Sequence, residues 1–456
     1  LFNRSGRVRL DSLKGFPLRL SPPQVLVLGF AGVILSGALL LMLPVASRAG
    51  TPTDFLTALF TATSATCVTG LVVVDTATHW STFGQVVILA LIQVGGLGFM
   101  SMATFFFILM GKRIGLKERL IIQESLNQLR VSGVVRLVRA ILLYTFSLEA
   151  FFALILAVRF YTDFGFPRCL WMGVFHAVSA FNNAGFDLMG DFRSLTGYVS
   201  DPVVNLSVTT LIILGGLGFS VAMELLDYFQ FPRRRLSVHT RLVLRVTFLL
   251  IAGGALVFGM LEWDNALRDL PLQGKILASY FQAVTPRTAG FNTVDIGQLN
   301  PATQFFLIVL MFIGASPGST GGGIKTATFA LLVLTVWSIA RGKEDVELFR
   351  RRIPHYQVYK ALAVVLLSIG TVTLVALLLS ITERASFLAI LFETVSAFGT
   401  VGLSTGITPQ LSPAGKLLII LTMFGGRLGP LTLVYALAQR RRKTTIRYPE
   451  EKIIVG

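Results

Sequence analysis

Four stretches of this chain close in the same way, and that repetition constrains its fold more than any other feature. Phe60 to Gly70 has relatives at Phe175 to Gly185, Tyr280 to Gly290 and Phe392 to Gly402. Each opens on an aromatic residue, runs through small residues for about two helical turns, and ends on a glycine followed by Leu or Phe. The closing glycines recur roughly a quarter of the chain apart, so the repeated unit is roughly a quarter of the protein. One such stretch reads as an ordinary helix C-cap, where glycine is common. Four in matching positions ask for a shared purpose.

Short helices that dip part-way into a bilayer from one side would aim their C-terminal carbonyls and negative dipole ends at its centre, where a cation needs negative potential. Carbonyls just before each glycine then form a ring that replaces an ion's water shell, which is a selectivity filter. The candidate filter residues are Cys67, Val68, Thr69 and Gly70; Asn182, Asn183, Ala184 and Gly185; Arg287, Thr288, Ala289 and Gly290; and Gly399, Thr400, Val401 and Gly402.

Composition supports a membrane setting: 54% of residues are hydrophobic and 14% charged, where soluble domains carry about a quarter charged. The net charge of +17 sits in segments between apolar runs and not on one polar face, so it reports topology and argues against a nucleic-acid partner. Two cysteines, Cys67 and Cys169, make neither a disulfide framework nor a metal cluster, although a single bridge between them stays open. Leu1 to Leu20 lacks the apolar core of a secretory leader.

Taken in order, the chain predicts an all-α integral membrane protein of four tandem helix–pore loop–helix repeats, at 1–113, 114–236, 237–346 and 347–456. The expected crossings are Pro22 to Pro44, Gln85 to Met110, Val134 to Phe160, Val203 to Leu226, Phe248 to Leu261, Phe305 to Trp337, Ala361 to Leu379 and Leu417 to Ala438. Every segment between units is basic: Arg4 to Arg19, Lys112 to Arg119, Arg233 to Arg235, Lys343 to Arg352 and Arg440 to Lys443. The positive-inside rule places these and both termini in the cytoplasm. A polar stretch from Leu116 to Val131 is expected to lie along that face. Eight transmembrane helices and four re-entrant loops follow, in pseudo-fourfold arrangement around one pore.

The second crossings repeat too. Gly95 to Phe99 and Gly215 to Phe219 share the pattern Gly-Gly-Leu-Gly-Phe, for which close helix packing is sufficient reason. The third unit instead carries Gly314, Ala315, Ser316, Pro317, Gly318, Ser319, Thr320, Gly321, Gly322, Gly323 and, beyond Ile324, Lys325. Five glycines and a proline cannot form continuous helix. Broken backbone at membrane depth must be buried or line water, so this is either a kink or a loop across the ion path; five glycines exceed what a kink requires. In the fourth unit Arg427 replaces Leu97 and Leu217, either as a cation set against the path or as one half of a buried pair, for instance with Glu224. Arg287 is expected behind the filter, paired with Glu393 or Asp295. His176 is expected in the core, and at Cys67 the backbone matters more than the thiol.

These motifs, Val68 to Leu71, Asn183 to Phe186, Thr288 to Thr293 and Thr400 to Leu403, with Gly314 to Lys325 and Arg427, resemble the potassium-translocating subunits of the Ktr, Trk and HKT superfamily over nearly the whole chain. Within it the likeness is to KtrB-type subunits, since the first unit follows directly on a short basic segment. The resemblance implies potassium uptake through one pore per subunit, with K+ held at the filter carbonyls. It further implies a homodimer in the cell membrane, seated on a cytoplasmic KtrA-type ring that alone binds nucleotide, with membrane lipids at the basic ends. Gly314 to Lys325 becomes the intramembrane gate and Arg427 its companion. Sodium is left as either a coupled ion or an activator, and glycine at all four filter positions resembles the potassium-selective members.

Other classes lack their signatures. No crossing has arginine at every third residue, as a voltage sensor would. All four units share one orientation, unlike an inverted repeat. No enzyme is expected, because only four histidines are present and they are scattered.

Overall fold

Helix starts follow local chemistry. The structure, a computed structural model, describes residues 22–98, 101–105, 115, 134–231, 235–437 and 451. The basic residues Arg4 to Arg19, Lys112, Arg113, Lys117, Arg119, Arg233, Arg234 and Arg440 to Lys443, and the stretch Leu116 to Val131, lie outside these.

Within them the order long helix, short helix, interrupted helix recurs. It begins with α1 (Pro22–Leu41), α2 (Phe55–Cys67) and α3 (Thr82–Leu97), followed by α4 (Val134–Phe164), α5 (Arg168–Phe181), α6 (Pro202–Gly216) and α7 (Phe219–Gln230). Next come α8 (Val238–Glu262), α9 (Leu272–Val284), α10 (Pro301–Phe312) and α11 (Thr326–Ala340). The chain continues through α12 (His355–Thr382), α13 (Phe387–Gly399), α14 (Pro413–Leu428) and α15 (Pro430–Leu437). The described strands are a two-residue pair, Glu347–Leu348 with Arg351–Arg352.

The starts of α3, α6, α10 and α14 share a logic. Ser81, Asp201 and Ser412 accept the first free amides of their helices, and proline fills the first position at Pro202, Pro301 and Pro413, where no amide is needed.

α1, α4, α8 and α12 are long and apolar enough to cross a membrane. Their outward faces are apolar as well: Val158, Phe248 and Ile381 are each at least 70% exposed, which suits lipid and not water. α2, α5, α9 and α13 are too short to cross and are largely buried, with Phe60, Phe175, Phe281 and Phe392 fully enclosed. This is a predominantly helical membrane protein whose core surrounds the four short helices.

The expected second crossings are not single unbroken helices. α3 stops at Leu97, α6 turns through 103° into α7, and α14 gives way to α15. The breaks fall at Gly98, Gly218 and Gly429, with φ between +81° and +96°, a region that side-chain-bearing residues avoid. The third unit has no such single-residue break; residues 313–325 separate α10 from α11.

The paired glycines do bring backbones together. A Cβ on Gly95, Gly215 or Gly426 would stand 1.9 Å from the carbonyl oxygen of Thr66, Phe181 or Phe398 respectively. Three of the interrupted helices thus lean directly on the C-terminal ends of α2, α5 and α13. Cys67 and Cys169 are both buried and free, which closes the question of a bridge.

Candidate functional site

The short helices α2 and α13 end in a left-handed residue, Val68 (φ +58°) and Thr400 (φ +50°). Asn183 (φ +59°) and Thr288 (φ +74°) hold the same position in the other two segments. Two residues on, Gly70, Gly185, Gly290 and Gly402 take φ between +69° and +93°. A left-handed residue and, two positions later, a second positive φ swing the chain off the helix end, and only glycine takes the last position without strain.

A hydroxyl fixes each exit. Ser64 Oγ and Ser396 Oγ accept from the amides of Gly70 and Gly402 at 3.1 Å, Ser179 Oγ donates to the Phe186 carbonyl at 2.7 Å, and the Thr285 hydroxyl donates to that of Phe291. The third segment corrects the sequence alignment. Its counterpart of the buried Phe60, Phe175 and Phe392 is Phe281, not Tyr280, and it reaches its glycine in one residue fewer. The signal was present in the sequence as Phe followed four residues later by Ser or Thr, found at Phe60, Phe175, Phe281 and Phe392 alike.

The four glycines close on one another in chain order. A Cβ on Gly70 would lie 2.5 Å from the Ala184 carbonyl oxygen, and one on Gly185 would lie 2.7 Å from that of Ala289. On Gly290 it would lie 2.6 Å from the Val401 oxygen, and on Gly402 2.1 Å from that of Thr69. Thr69, Ala184, Ala289 and Val401, each one residue before a glycine, therefore set their carbonyls beside the next glycine round a closed ring. The buried hydroxyls of Thr69 and Thr400 have no hydrogen-bond partner.

On one side the ring opens into a pit of about 270 Å³, lined by all four glycines and by Asp75, Asp187 and Asp295. Asp187 accepts the Met189 amide at 2.9 Å. Its pKa is nevertheless pushed up to about 7, chiefly by burial and further by the charge of Asp75.

On the other side lie residues 314–325, which form a loop and not a simple kink. Gly314 N donates to Ile324 O at 2.8 Å, pinching the loop's two ends together. Ser316 N and Thr320 N donate to the carbonyls of Gly216 and Gly215, while Phe219 N donates to Gly318 O at 2.8 Å, so the loop is pinned to the bend between α6 and α7. Its centre touches the ring segments: a Cβ on Gly321 would meet Thr288 Oγ1 at 2.0 Å, and one on Gly322 would meet Thr400 Oγ1 at 2.3 Å. Lys325 Nζ donates to Gly321 O at 2.6 Å.

Arg427 is buttoned onto this layer by carbonyls. It donates to Thr320 O from the loop and to Gly95 O and Gly96 O at the end of α3, the last at 3.2 Å. The pairing with Glu224 is not what forms, because that carboxylate is occupied by Ser237 and Thr240. The helix end offers free carbonyls at hand, which satisfy a guanidinium without a second buried charge.

Behind the ring the segments differ. Arg287 is buried but has no carboxylate partner among the described residues: Glu393 is held by Ser404 and Thr408, and Asp295 by Gly297 N and Gln298. His176 is a core residue, with Nδ1 2.7 Å from Met172 O. The Asn182 side chain turns away from the ring toward Glu149 of α4, a residue that no motif in the sequence marks out.

A family model for cation transport proteins of the TrkH type matches residues 23–443. The chain belongs to that family. Members are transporters and not enzymes, so this TrkH-family chain is a multi-pass membrane protein whose ring and pit lie in a cation transporter. It is 48% identical over 441 residues to the Ktr system potassium uptake protein B of Bacillus subtilis, across 96% of this chain and 98% of that protein. It is 41% identical to the protein of the same name from Vibrio alginolyticus, over 95% of each chain. The potassium/sodium uptake protein NtpJ of Enterococcus hirae is 40% identical, across 96% of this chain and 98% of that one. The crystal structure of the potassium transporter TrkH from Vibrio parahaemolyticus shares the fold with a TM-score of 0.71 at 19% identity, covering 96% of this chain and 87% of that one.

Proposed function

We propose that this chain takes up potassium through a channel-like pore built from four repeats, 1–113, 114–236, 237–346 and 347–456. α2, α5, α9 and α13 act as pore helices. Carbonyls of Thr69, Ala184, Ala289 and Val401, with those of Val68, Asn183, Thr288 and Thr400, replace the water shell of K+. The observation that carries this reading is the closed ring: four glycines distant in sequence meet in chain order beneath one acidic pit. An ordinary helix cap has no need to meet three others.

Residues 314–325 are the gate. With Gly321 and Gly322 packed on Thr288 and Thr400, the loop obstructs the exit from the ring, and Arg427 holds it there while adding a positive barrier. A loop tied by a few hydrogen bonds can be shifted by a partner that grips its flanking helices differently in two states. The relatives named as protein B of a Ktr system support a cytoplasmic partner, read here as a KtrA-type nucleotide-binding ring beneath a homodimer of this chain. Both termini and the basic segments then face that ring or anionic lipid headgroups. Sodium, which is named for the NtpJ relative, acts on this chain either as a coupled ion or as an activator. Movement of labelled sodium alongside potassium separates the two.

The test is uptake of potassium or rubidium into proteoliposomes holding the purified chain, with sodium as competitor. Potassium-selective, downhill flux supports the reading. Flux without ionic preference, or none with the partner ring present, overturns it.

A further inference from the structure

A carboxylate lies behind the second filter segment and is joined to it by a single residue. Glu149 sits midway along α4, where a membrane-spanning helix is costliest to charge, and is only 4% exposed. Its Oε1 accepts from Asn182 Nδ2 at 2.9 Å and its Oε2 from Gln93 Nε2 at 3.1 Å. Asn182 Nδ2 also lies 2.9 Å from Gln93 Oε1, so α3, α4 and the end of α5 meet in one buried polar knot. The fit around Asn182 is close: a Cβ on Gly96 would stand 2.1 Å from its Oδ1, which has no hydrogen-bond partner.

The position of Asn182 makes the knot more than a helix strut. It directly precedes Asn183, whose left-handed backbone turns the chain toward Ala184 O and Gly185 in the ring. The same place in the other segments is taken by a buried free thiol at Cys67, an arginine without a carboxylate at Arg287 and no side chain at all at Gly399. Among the described residues, only the second segment has an acid tied to that position.

We propose that Glu149, acting through Asn182 and braced by Gln93, is a positioning residue for ion selectivity, which holds the Asn183–Gly185 arm of the ring at its proper distance from the axis. This rests on the filter reading above. A buried acid side chain that accepts two amide donors in a dry site makes directional bonds, so this arm has a tie behind it in addition to the hydroxyl bond that fixes all four exits.

The experiment measures the potassium-to-sodium uptake ratio in proteoliposomes for Glu149→Gln, Asn182→Ala and their double variant, with Gly70→Ser as the filter control. Glu149→Gln keeps the size of the side chain but offers one acceptor to two donors. Each single variant is expected to lower the ratio by roughly tenfold, the scale of one buried hydrogen bond. The double should fall no further than either single, because both break one linkage. If the single variants fold, transport potassium and keep the parental ratio while Gly70→Ser lowers it, Glu149 is only a strut between helices and the proposal is overturned. If Gly70→Ser also leaves the ratio alone, the filter reading itself fails and takes this inference with it. Should Glu149→Gln not fold, Asn182→Ala and Gln93→Ala decide the matter by the same ratio.

Discussion

The ring and the layer beneath it are made in opposite ways. The ring is written four times, with the same left-handed turn and the same glycine, and each repeat supplies an equivalent quarter. The layer beneath is asymmetric: one repeat provides a loop, another provides the arginine that ties it down, and a third lends the carbonyls of Gly95 and Gly96. On the function proposed here, a part that surrounds an ion evenly gains from fourfold repetition, whereas a part that moves gains from being single.

That contrast is sharpest at the glycines. Gly402→Ser would force a Cβ to within 2.1 Å of Thr69 O, and Gly185→Ser would press on Ala289 O at 2.7 Å. Either should cut potassium-over-sodium discrimination by roughly ten- to a hundredfold, equivalent to about 1.4 to 3 kcal/mol of displaced geometry. Competition uptake checks this, and an unchanged preference after substitution at two of the four glycines would break the comparison at its stronger side.

The loop should behave in the reverse manner. Removing Ser319 to Gly322 is expected to raise potassium flux by roughly tenfold and loosen its dependence on the partner, with selectivity retained, because the ring is untouched. Initial flux per folded transporter, with and without the partner, is the measurement. A folded deletion with parental flux and regulation would make the loop a mere break in a helix.

Arg427→Ala should act in the same direction but less, by roughly threefold to tenfold, since it frees the loop from one anchor while leaving the bonds to Gly215 and Gly216. It also leaves the Gly95 and Gly96 carbonyls without their donor, so a lower melting temperature should accompany the higher flux.

The smallest effect concerns the pit. Asp187 is pushed up to about 7 by burial and by Asp75, while the Met189 amide opposes the shift. As external pH falls through that value Asp187 takes up a proton, the pit loses negative charge, and uptake at low potassium should fall by about twofold. Asp75 and Asp295 share the pit and keep part of the attraction. Asp187→Asn should flatten this pH dependence without altering selectivity; a profile that is unchanged in the variant would assign it to another group.

Much of the ring could be read in advance because its causes are local. A positive φ with another backbone pressed against it favours glycine at that very residue, a helix end announces itself by its cap, and four repetitions make such short signals add up. The same holds for the broken third crossing, where proline and five glycines forbid helix whatever surrounds them. Spacing alone points to Tyr280 in place of Phe281, one residue off, because only burial shows which aromatic faces the core.

Partner choice was the other matter. Arg427 finds carbonyls more than three hundred residues away and not Glu224. Arg287 finds no acid among the described residues, and Glu149 finds Asn182 across the junction of three helices. A buried polar group must bond to whatever the packing brings within about 3 Å of it, and charge alone does not name that neighbour. Where the backbone must turn is dictated locally by residue type, since sterics act within a residue or two. Which side chain meets which across the membrane interior was decided only when the helices packed.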